Sequence, residues 1–139
     1  MPNWGSLRRI VQSKDQLSIL YDVGQGQGWQ RVIPITNSPH PPKGVYDMRG
    51  DARGHWEGDT LVVDVTNFSP KSDFRGAREN LHVIEKWRRI DAKTIEYSAQ
   101  IIDPTVWTKP WTVKTEFTRQ PEDGNRLYTE PRCHEGNFG

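Results

Sequence analysis

The chain has 139 residues, which fits one domain of ordinary size and leaves little room for a second full core. Its 19 basic and 18 acidic residues give a net charge of +1, which argues against nucleic acid and anionic membranes as partners. No run approaches the roughly 20 apolar residues that span a bilayer. The single cysteine, Cys133, excludes an internal disulfide and a multi-cysteine zinc site.

The amino-terminal third predicts three short strands. They cover residues 7–12, 16–21 and 29–35, and the glycine-rich segment 24–28 joins the last two as a flexible hairpin. The alternating glycines of this segment are not a dinucleotide fingerprint, because a strand rather than a helix follows them.

A long connection over 36–59 is then predicted, because prolines and glycines recur there without a sustained period. Loops of this length inside compact domains are usually functional or disordered. This one contains His40, Tyr46, His55 and Trp56, more aromatic and imidazole groups than a linker needs. Two interpretations stay open, a lid over a site and an inert surface loop.

The remaining chain predicts further strands over 60–68, 81–90, 94–102 and 112–118, and a short one over 126–130. Only residues 76–81 could hold a helical turn. We therefore predict one all-β domain over 1–139, a mostly antiparallel meander that forms a closed or half-open β-barrel of lipocalin-like general shape. A β-sandwich is the alternative. An exposed strand edge would also favour self-association as a homo-oligomer.

Several motifs resemble those of a large family of uncharacterised bacterial proteins. They are GDARGHWEGDTLVVD at 50–64, FRG at 74–76, ENLH at 79–82, DPTVWTKPWT at 103–112 and CHEGN at 133–137. The resemblance covers roughly residues 8–138 and implies no particular activity, since no reaction is established for the family. Relatives are often exported, so it implies an exported or periplasmic location. The chain's own residues show no signal peptide, which suggests a trimmed version of such a protein.

The four histidines are the natural candidates for proton transfer near neutral pH. Their wide spacing matches no metal-binding motif, so we expect neither a metal nor a cofactor. His82 is the strongest candidate because it begins a strand directly after a polar connection that contains Arg75 and Glu79. Ile84 shares its strand face, so a carboxylate partner must come from another strand, for example Asp64 or Glu96. The alternative is a histidine that only caps a backbone carbonyl.

A second candidate lies at Cys133-His134-Glu135, where a thiol, an imidazole and a carboxylate are adjacent. Neighbours on a strand point to opposite faces, so His134 and Glu135 form an acid–base pair only if this segment is a turn. Structural closure of the barrel is the alternative role. Cys133 itself is more typical of a small buried hydrophobe.

Six tryptophans are more than a small core requires. Trp107 and Trp111 flank Lys109-Pro110, and indole rings commonly stack on sugar rings or aromatic ligands. We predict a ligand-binding set of Tyr46, His55, Trp56, Trp107 and Trp111, with interior packing as the alternative for the last two.

Two functions follow from these residues. The first is an enzyme, a hydrolase or lyase that processes a small molecule, such as a saccharide or glycoside, by acid–base hydrolysis or elimination. Its catalytic residues would be Arg75, Glu79, His82, His134 and Glu135. The second is a non-catalytic ligand- or carbohydrate-binding module in which the tryptophans line a groove.

Overall fold

The computed structural model describes residues 7–24 and 27–119, and all regular structure in these ranges is β-strand. The strands are β1 (Leu7–Gln12), β2 (Gln16–Gly24), β3 (Gln27–Pro34), β4 (Asp51–Glu57), β5 (Thr60–Thr66), β6 (His82–Arg89), β7 (Thr94–Ile102) and β8 (Trp111–Thr118). The all-β prediction is confirmed. The predicted strand over 126–130 lies outside the described residues, as do Cys133, His134 and Glu135.

The chain divides into two compact units, with the boundary between Val32 and Ile33. The first contains a three-stranded sheet in the order β1-β2-β3, in which β1 and β2 pair antiparallel. Leu17, Ile19 and Tyr21 alternate along β2 and are buried, as the period of two requires. The Tyr21 ring stacks on Trp29 of β3 at a centroid distance of 4.5 Å.

The second unit runs from Ile33 to Arg119 and contains a five-stranded antiparallel meander in the order β4-β5-β6-β7-β8. Each strand pairs with the next in the chain. The sheet ends in two edge strands, β4 and β8, so it is not closed into a barrel. An open arrangement, which the sequence left as one alternative, is what the structure shows.

The meander has one apolar and one polar face, because its strands alternate with a period of two. The apolar face is buried and contains Leu61, Val63, Val65, Val83, Trp87, Tyr97, Ala99 and Ile101. The opposite face has Arg53 directly across from Asp64 on β5, and Asp64 in turn across from Ile84 on β6. A polar cluster can therefore form on this face without disturbing the core.

The connections at the two ends of the meander differ in length. Residues 58–59 and 90–93 make short turns at one end, whereas 36–50, 67–81 and 103–110 all meet the other end. The prediction of one loop over 36–59 is wrong in part, because residues 51–57 pair with β5 as β4. Residues 76–81 form turns rather than a helical turn. The long connections bring most of the chemically versatile side chains to one end.

Asn67 attaches the 36–50 connection to the end of β5. Its side-chain amide donates to the carbonyl oxygens of Pro41, Pro42 and Val45 at 3.2, 3.4 and 2.8 Å. Its backbone has φ of +60°, a left-handed conformation that asparagine tolerates better than most residues. The Asp47 amide also donates to the Asn67 carbonyl at 2.9 Å. The connection is thus held against the sheet by directed hydrogen bonds.

Within residues 7–24 and 27–119, no helix is long and apolar enough to cross a membrane.

Candidate functional site

Three adjacent strands place charged side chains together on the polar face. Asp51 and Arg53 are two residues apart on β4 and therefore share a face. Arg53 pairs in register with Asp64 of β5. His82, at the start of β6, lies diagonally from Asp64, a separation that long side chains bridge.

His40, from the 36–50 connection, completes what we call the His–Asp cluster: His40, Asp51, Arg53, Asp64 and His82. His40 Nδ1 lies 2.6 Å from Asp51 Oδ2, and His40 Nε2 lies 2.8 Å from Asp64 Oδ1. The second oxygen of Asp64, Oδ2, lies 3.0 Å from His82 Nε2. One carboxylate therefore joins two imidazoles that are distant in the sequence.

Both carboxyl groups of the His–Asp cluster are stabilised in the ionised form. Burial raises the pKa of Asp64, but hydrogen bonds from His82 and His40 outweigh it and hold the pKa below its ordinary value. Burial likewise raises the pKa of Asp51, and hydrogen bonds from Arg53 and His40 again produce a net lowering. Arg53 donates to Asp51 through Nε at 2.8 Å and Nη2 at 3.3 Å.

The ionised carboxylates determine where the imidazole protons lie. An ionised carboxylate only accepts hydrogen bonds, so each His40 ring nitrogen that contacts an ionised aspartate does so as a donor. His82 must donate through Nε2, which leaves the lone pair of a neutral ring on Nδ1. No hydrogen bond within the described ranges occupies that nitrogen, and 36% of the His82 side chain is exposed. His82 thus has the arrangement of a general base oriented by a carboxylate.

An aromatic pocket lies at the same end of the sheet. It is open, has a volume of about 470 Å³, and is lined by Arg75, Trp107, Thr108, Lys109, Pro110 and Trp111. The Trp107 and Trp111 rings meet edge to face at 5.4 Å. The Arg75 guanidinium carbon lies 5.9 Å from the centre of the Trp111 ring, within cation–π range. We call this set the Trp–Arg pocket.

A turn that begins at Asp103 positions the tryptophan side of this pocket. Asp103 is buried, and its Oδ1 accepts hydrogen bonds from the Thr105 amide at 2.9 Å and the Thr105 hydroxyl at 2.5 Å. Its backbone carbonyl accepts from the Trp107 amide at 2.9 Å. Proline at 104 suits the second position of such a turn. The first part of the 103–112 motif therefore forms a hydrogen-bonded turn that fixes the position of Trp107.

The structure brings some predicted site residues together and separates others. His82 meets Asp64, one of the two partners that the sequence suggested. The other, Glu96, pairs instead with Lys114 at 3.2 Å. Glu79 is exposed in a turn, and no hydrogen bond or ion pair joins it to His82, whereas Arg75 joins Trp107 and Trp111 in the pocket.

The other predicted ligand-binding residues belong to neither site. His55 and Trp56 are consecutive on β4 and so point to opposite faces. His55 contacts Glu57 at 3.1 Å, and Trp56 is 44% exposed. Tyr46 is exposed in the 36–50 connection. His134 and Glu135 fall beyond the described part of the chain.

Sequence reasoning missed Asp51 and Arg53 as members of the His–Asp cluster, and it named His40 only among the four histidine candidates without placing it in the predicted site. The available signal was the alternation of Asp51 and Arg53 before the turn at 58–59, which marks a strand with one charged face. It also missed a buried pair on the apolar face, where the Tyr97 hydroxyl donates to Glu85 Oε1 at 2.7 Å. The available signal was Glu85 itself, a charged residue between Val83 and Trp87 on the apolar face of β6.

Among the described residues, no group of three or more histidine, cysteine, aspartate or glutamate side chains is arranged to hold a metal ion. The chain matches no protein-family profile and shows no significant similarity to a curated protein or a solved structure. The resemblance to the bacterial family accordingly stays a prediction.

Proposed function

We propose that the protein is an enzyme that processes a small polar molecule by acid–base chemistry, with His82 as the general base. The observation that carries this proposal is the Asp64 carboxylate, which accepts hydrogen bonds from both His82 and His40. A carboxylate that orients one imidazole and is itself stabilised by a second is an arrangement suited to proton transfer.

Each residue of the His–Asp cluster has a separate role in this proposal. Asp64 fixes the His82 tautomer with the proton on Nε2, so that Nδ1 can take a proton from the substrate or from an attacking water. When His82 becomes positive, the same carboxylate stabilises it. Hydrogen bonds from Arg53 and His40 keep Asp51 ionised, and those from His82 and His40 keep Asp64 ionised. His40 acts as a positioning residue because its ring nitrogens are already engaged.

The reaction classes that fit are hydrolysis and elimination. In hydrolysis, His82 removes a proton from water while the water oxygen attacks the carbon of the bond that breaks, and the protonated His82 then gives that proton to the departing oxygen. In elimination, His82 removes a proton from one carbon, a double bond forms to the adjacent carbon, and the leaving group departs from that carbon with its bonding electrons and takes the proton from His82. A saccharide or glycoside is the substrate class we propose, because its hydroxyls can hydrogen-bond to the polar face of the sheet.

A panel of glycosides and small esters, with product detection by mass spectrometry, tests the proposal. Once a substrate is found, His82→Gln and Asp64→Asn are each expected to lower kcat by about 100-fold or more, since the base or its orientation is lost. Glu96→Gln is the matched control, because Glu96 is a carboxylate on the same face that pairs with Lys114. It is expected to leave kcat within about twofold of the parent, as solvent-exposed ion pairs contribute little.

Unchanged turnover in His82→Gln would contradict the role of the His–Asp cluster. If His134→Ala then abolished activity, the alternative pair of His134 and Glu135 would replace it. If both variants kept full turnover, the acid–base mechanism itself would be wrong.

A second function, a non-catalytic ligand- or carbohydrate-binding module, is supported by the Trp–Arg pocket. Two indole rings and two cations around an open volume of about 470 Å³ are typical of a binding surface. A ligand recovered chemically unchanged after incubation would favour this function over catalysis. A homo-oligomer that pairs through an edge strand and an exported location both remain predictions.

A further inference from the structure

The charges of the Trp–Arg pocket have one sign. Its lining contains Arg75 and Lys109 and no acidic residue. Neither cation forms an ion pair or hydrogen bond with any residue in 7–24 or 27–119. Arg75 contacts the Trp111 ring, whose face attracts a cation but leaves the guanidinium N–H groups available. The pocket therefore offers unneutralised positive charge beside flat apolar surface.

Arg75 occupies an unfavourable backbone position. Phe74 and Ala77 exchange two backbone hydrogen bonds, of 2.8 and 2.9 Å, around the two-residue turn Arg75-Gly76. Both turn residues have positive φ, +52° for Arg75 and +94° for Gly76, as in a type I′ turn. Asparagine followed by glycine is the preferred pair for this turn, and arginine at its first position is disfavoured. The guanidinium is thus held in the pocket at some cost in stability.

We infer that the Trp–Arg pocket binds an acidic saccharide, a sugar ring that carries a carboxylate. The inference rests on the second proposed function and specifies its ligand. The ring packs against Trp107, whose indole presents an apolar face, and the carboxylate pairs with Arg75 and Lys109. A neutral sugar would leave both cations without a partner. This site is independent of the His–Asp cluster, since no residue belongs to both.

The test is calorimetric titration of the full chain with a galacturonate trisaccharide and with the neutral galactose trisaccharide. The acidic ligand is expected to bind at least about tenfold more tightly than the neutral one, because its carboxylate makes charge-assisted hydrogen bonds. Arg75→Asn is the decisive variant: it removes the charge and provides the residue that the turn prefers. It is expected to raise the thermal midpoint while weakening binding of the acidic ligand about tenfold or more.

Two further variants act as controls. Lys109→Met keeps the turn at Arg75 and is expected to weaken binding of the acidic ligand about threefold, because lysine makes a less directional pair than arginine. Arg89→Ala removes an exposed cation at the opposite end of β6 and is expected to leave binding unchanged.

Three outcomes would overturn the inference. If the neutral trisaccharide bound as tightly as the acidic one, the binding module would stand but its acidic ligand class would be wrong. If neither bound, the pocket would not be a saccharide site and the carbohydrate-binding form of the second proposed function would fail with it. If the acidic ligand bound equally well to Arg75→Asn and to the parent, binding would lie elsewhere.

Discussion

The His–Asp cluster and the Trp–Arg pocket lie at the same end of the five-stranded sheet but are built differently. His82 begins β6 on the polar face, whereas Trp111 begins β8 in register with Ile101 of the apolar face. Two strand spacings, together about 10 Å, separate the backbones of β6 and β8. The cluster is joined by hydrogen bonds between charged groups, and the pocket by contacts between rings.

This difference matches the two proposed functions, proton transfer at the cluster and ligand binding at the pocket. Acidic and basic side chains contact each other in the cluster, so its geometry depends on the ionisation of its own members. The pocket has aromatic walls and two cations that form no ion pair within residues 7–24 and 27–119, so its proposed ligand is an anion. One predicted ligand-binding set combined His55 with Trp56, Trp107 and Trp111. The structure instead places them on two faces.

The largest expected effect concerns the attachment of the connection that contains His40. Asn67→Ala removes the amide donor to Pro41, Pro42 and Val45 and leaves an alanine at positive φ. We expect a loss of about 2–3 kcal/mol in unfolding free energy, measured by urea denaturation at pH 7.

Two control variants show which part of the loss comes from the hydrogen bonds of Asn67. Asn67→Gly tolerates the backbone angle and should lose only the hydrogen-bond part, and the exposed Asn80→Ala should be neutral. Indole N–H signals of the Trp–Arg pocket should not shift in Asn67→Ala. Equal losses in all three variants would show that Asn67 does not hold the connection.

An intermediate effect is expected on acidification. Asp51 and Asp64 have pKa values below their ordinary range in the folded protein, so each contributes stability above the unfolded pKa of about 3.9. That contribution is lost as pH falls through the folded pKa. Urea midpoints should therefore fall from about pH 5 downwards, and they should fall less steeply in the double variant Asp51→Asn, Asp64→Asn.

Asp91→Asn is the matched control for this pH series. The pKa of Asp91 is also below its ordinary value, first because it accepts a hydrogen bond from the Lys93 amide, but it lies in an exposed turn outside the cluster. Its removal should change the slope less than the double variant does. A steeper change in Asp91→Asn would mean that the His–Asp cluster does not govern acid stability.

The smallest expected effect is the difference in stability contribution between two ion pairs on the polar face. Arg53 contacts Asp51 through two nitrogens, and 25% of its side chain is exposed, whereas Lys114 contacts Glu96 through one nitrogen and is 63% exposed. We expect Arg53→Met to lower the thermal midpoint more than Lys114→Met does, because the Arg53 pair has two hydrogen bonds and the Lys114 pair is more exposed to solvent. Thermal midpoints at low and high salt would measure both, and equal costs would contradict the special role of Arg53.

Much of the fold was predictable because strand alternation is a local property. The strands over 7–12 and 94–102 were predicted with the bounds of β1 and β7, and β2, β3, β5, β6 and β8 were predicted within three residues at each end. β4 was missed because Gly54 and the charged alternation of Asp51 and Arg53 resembled a loop. Gly54 is in fact closely packed: a Cβ there would lie 3.3 Å from Leu61 Cδ1.

The candidate site was less predictable, because its contacts join distant parts of the chain. The faces of His82 and Asp64 follow from a period of two, so their meeting could be suggested from sequence. His40 reaches Asp64 across 24 positions, and no local pattern specifies such a contact. It depends on the left-handed turn at Asn67 and on the hydrogen bonds that hold the connection against β5.

The amino-acid sequence by itself determined seven of the eight described strands, β4 excepted, together with their apolar and polar faces, since each depends on neighbours within a few residues. Tertiary structure alone decided that the five-stranded sheet stays open, that His40 joins two aspartates, and that Arg75 meets Trp107 and Trp111. The physical reason is that side chains from separate connections are placed by strand register and by directed hydrogen bonds. The register and these hydrogen bonds exist only in the folded chain.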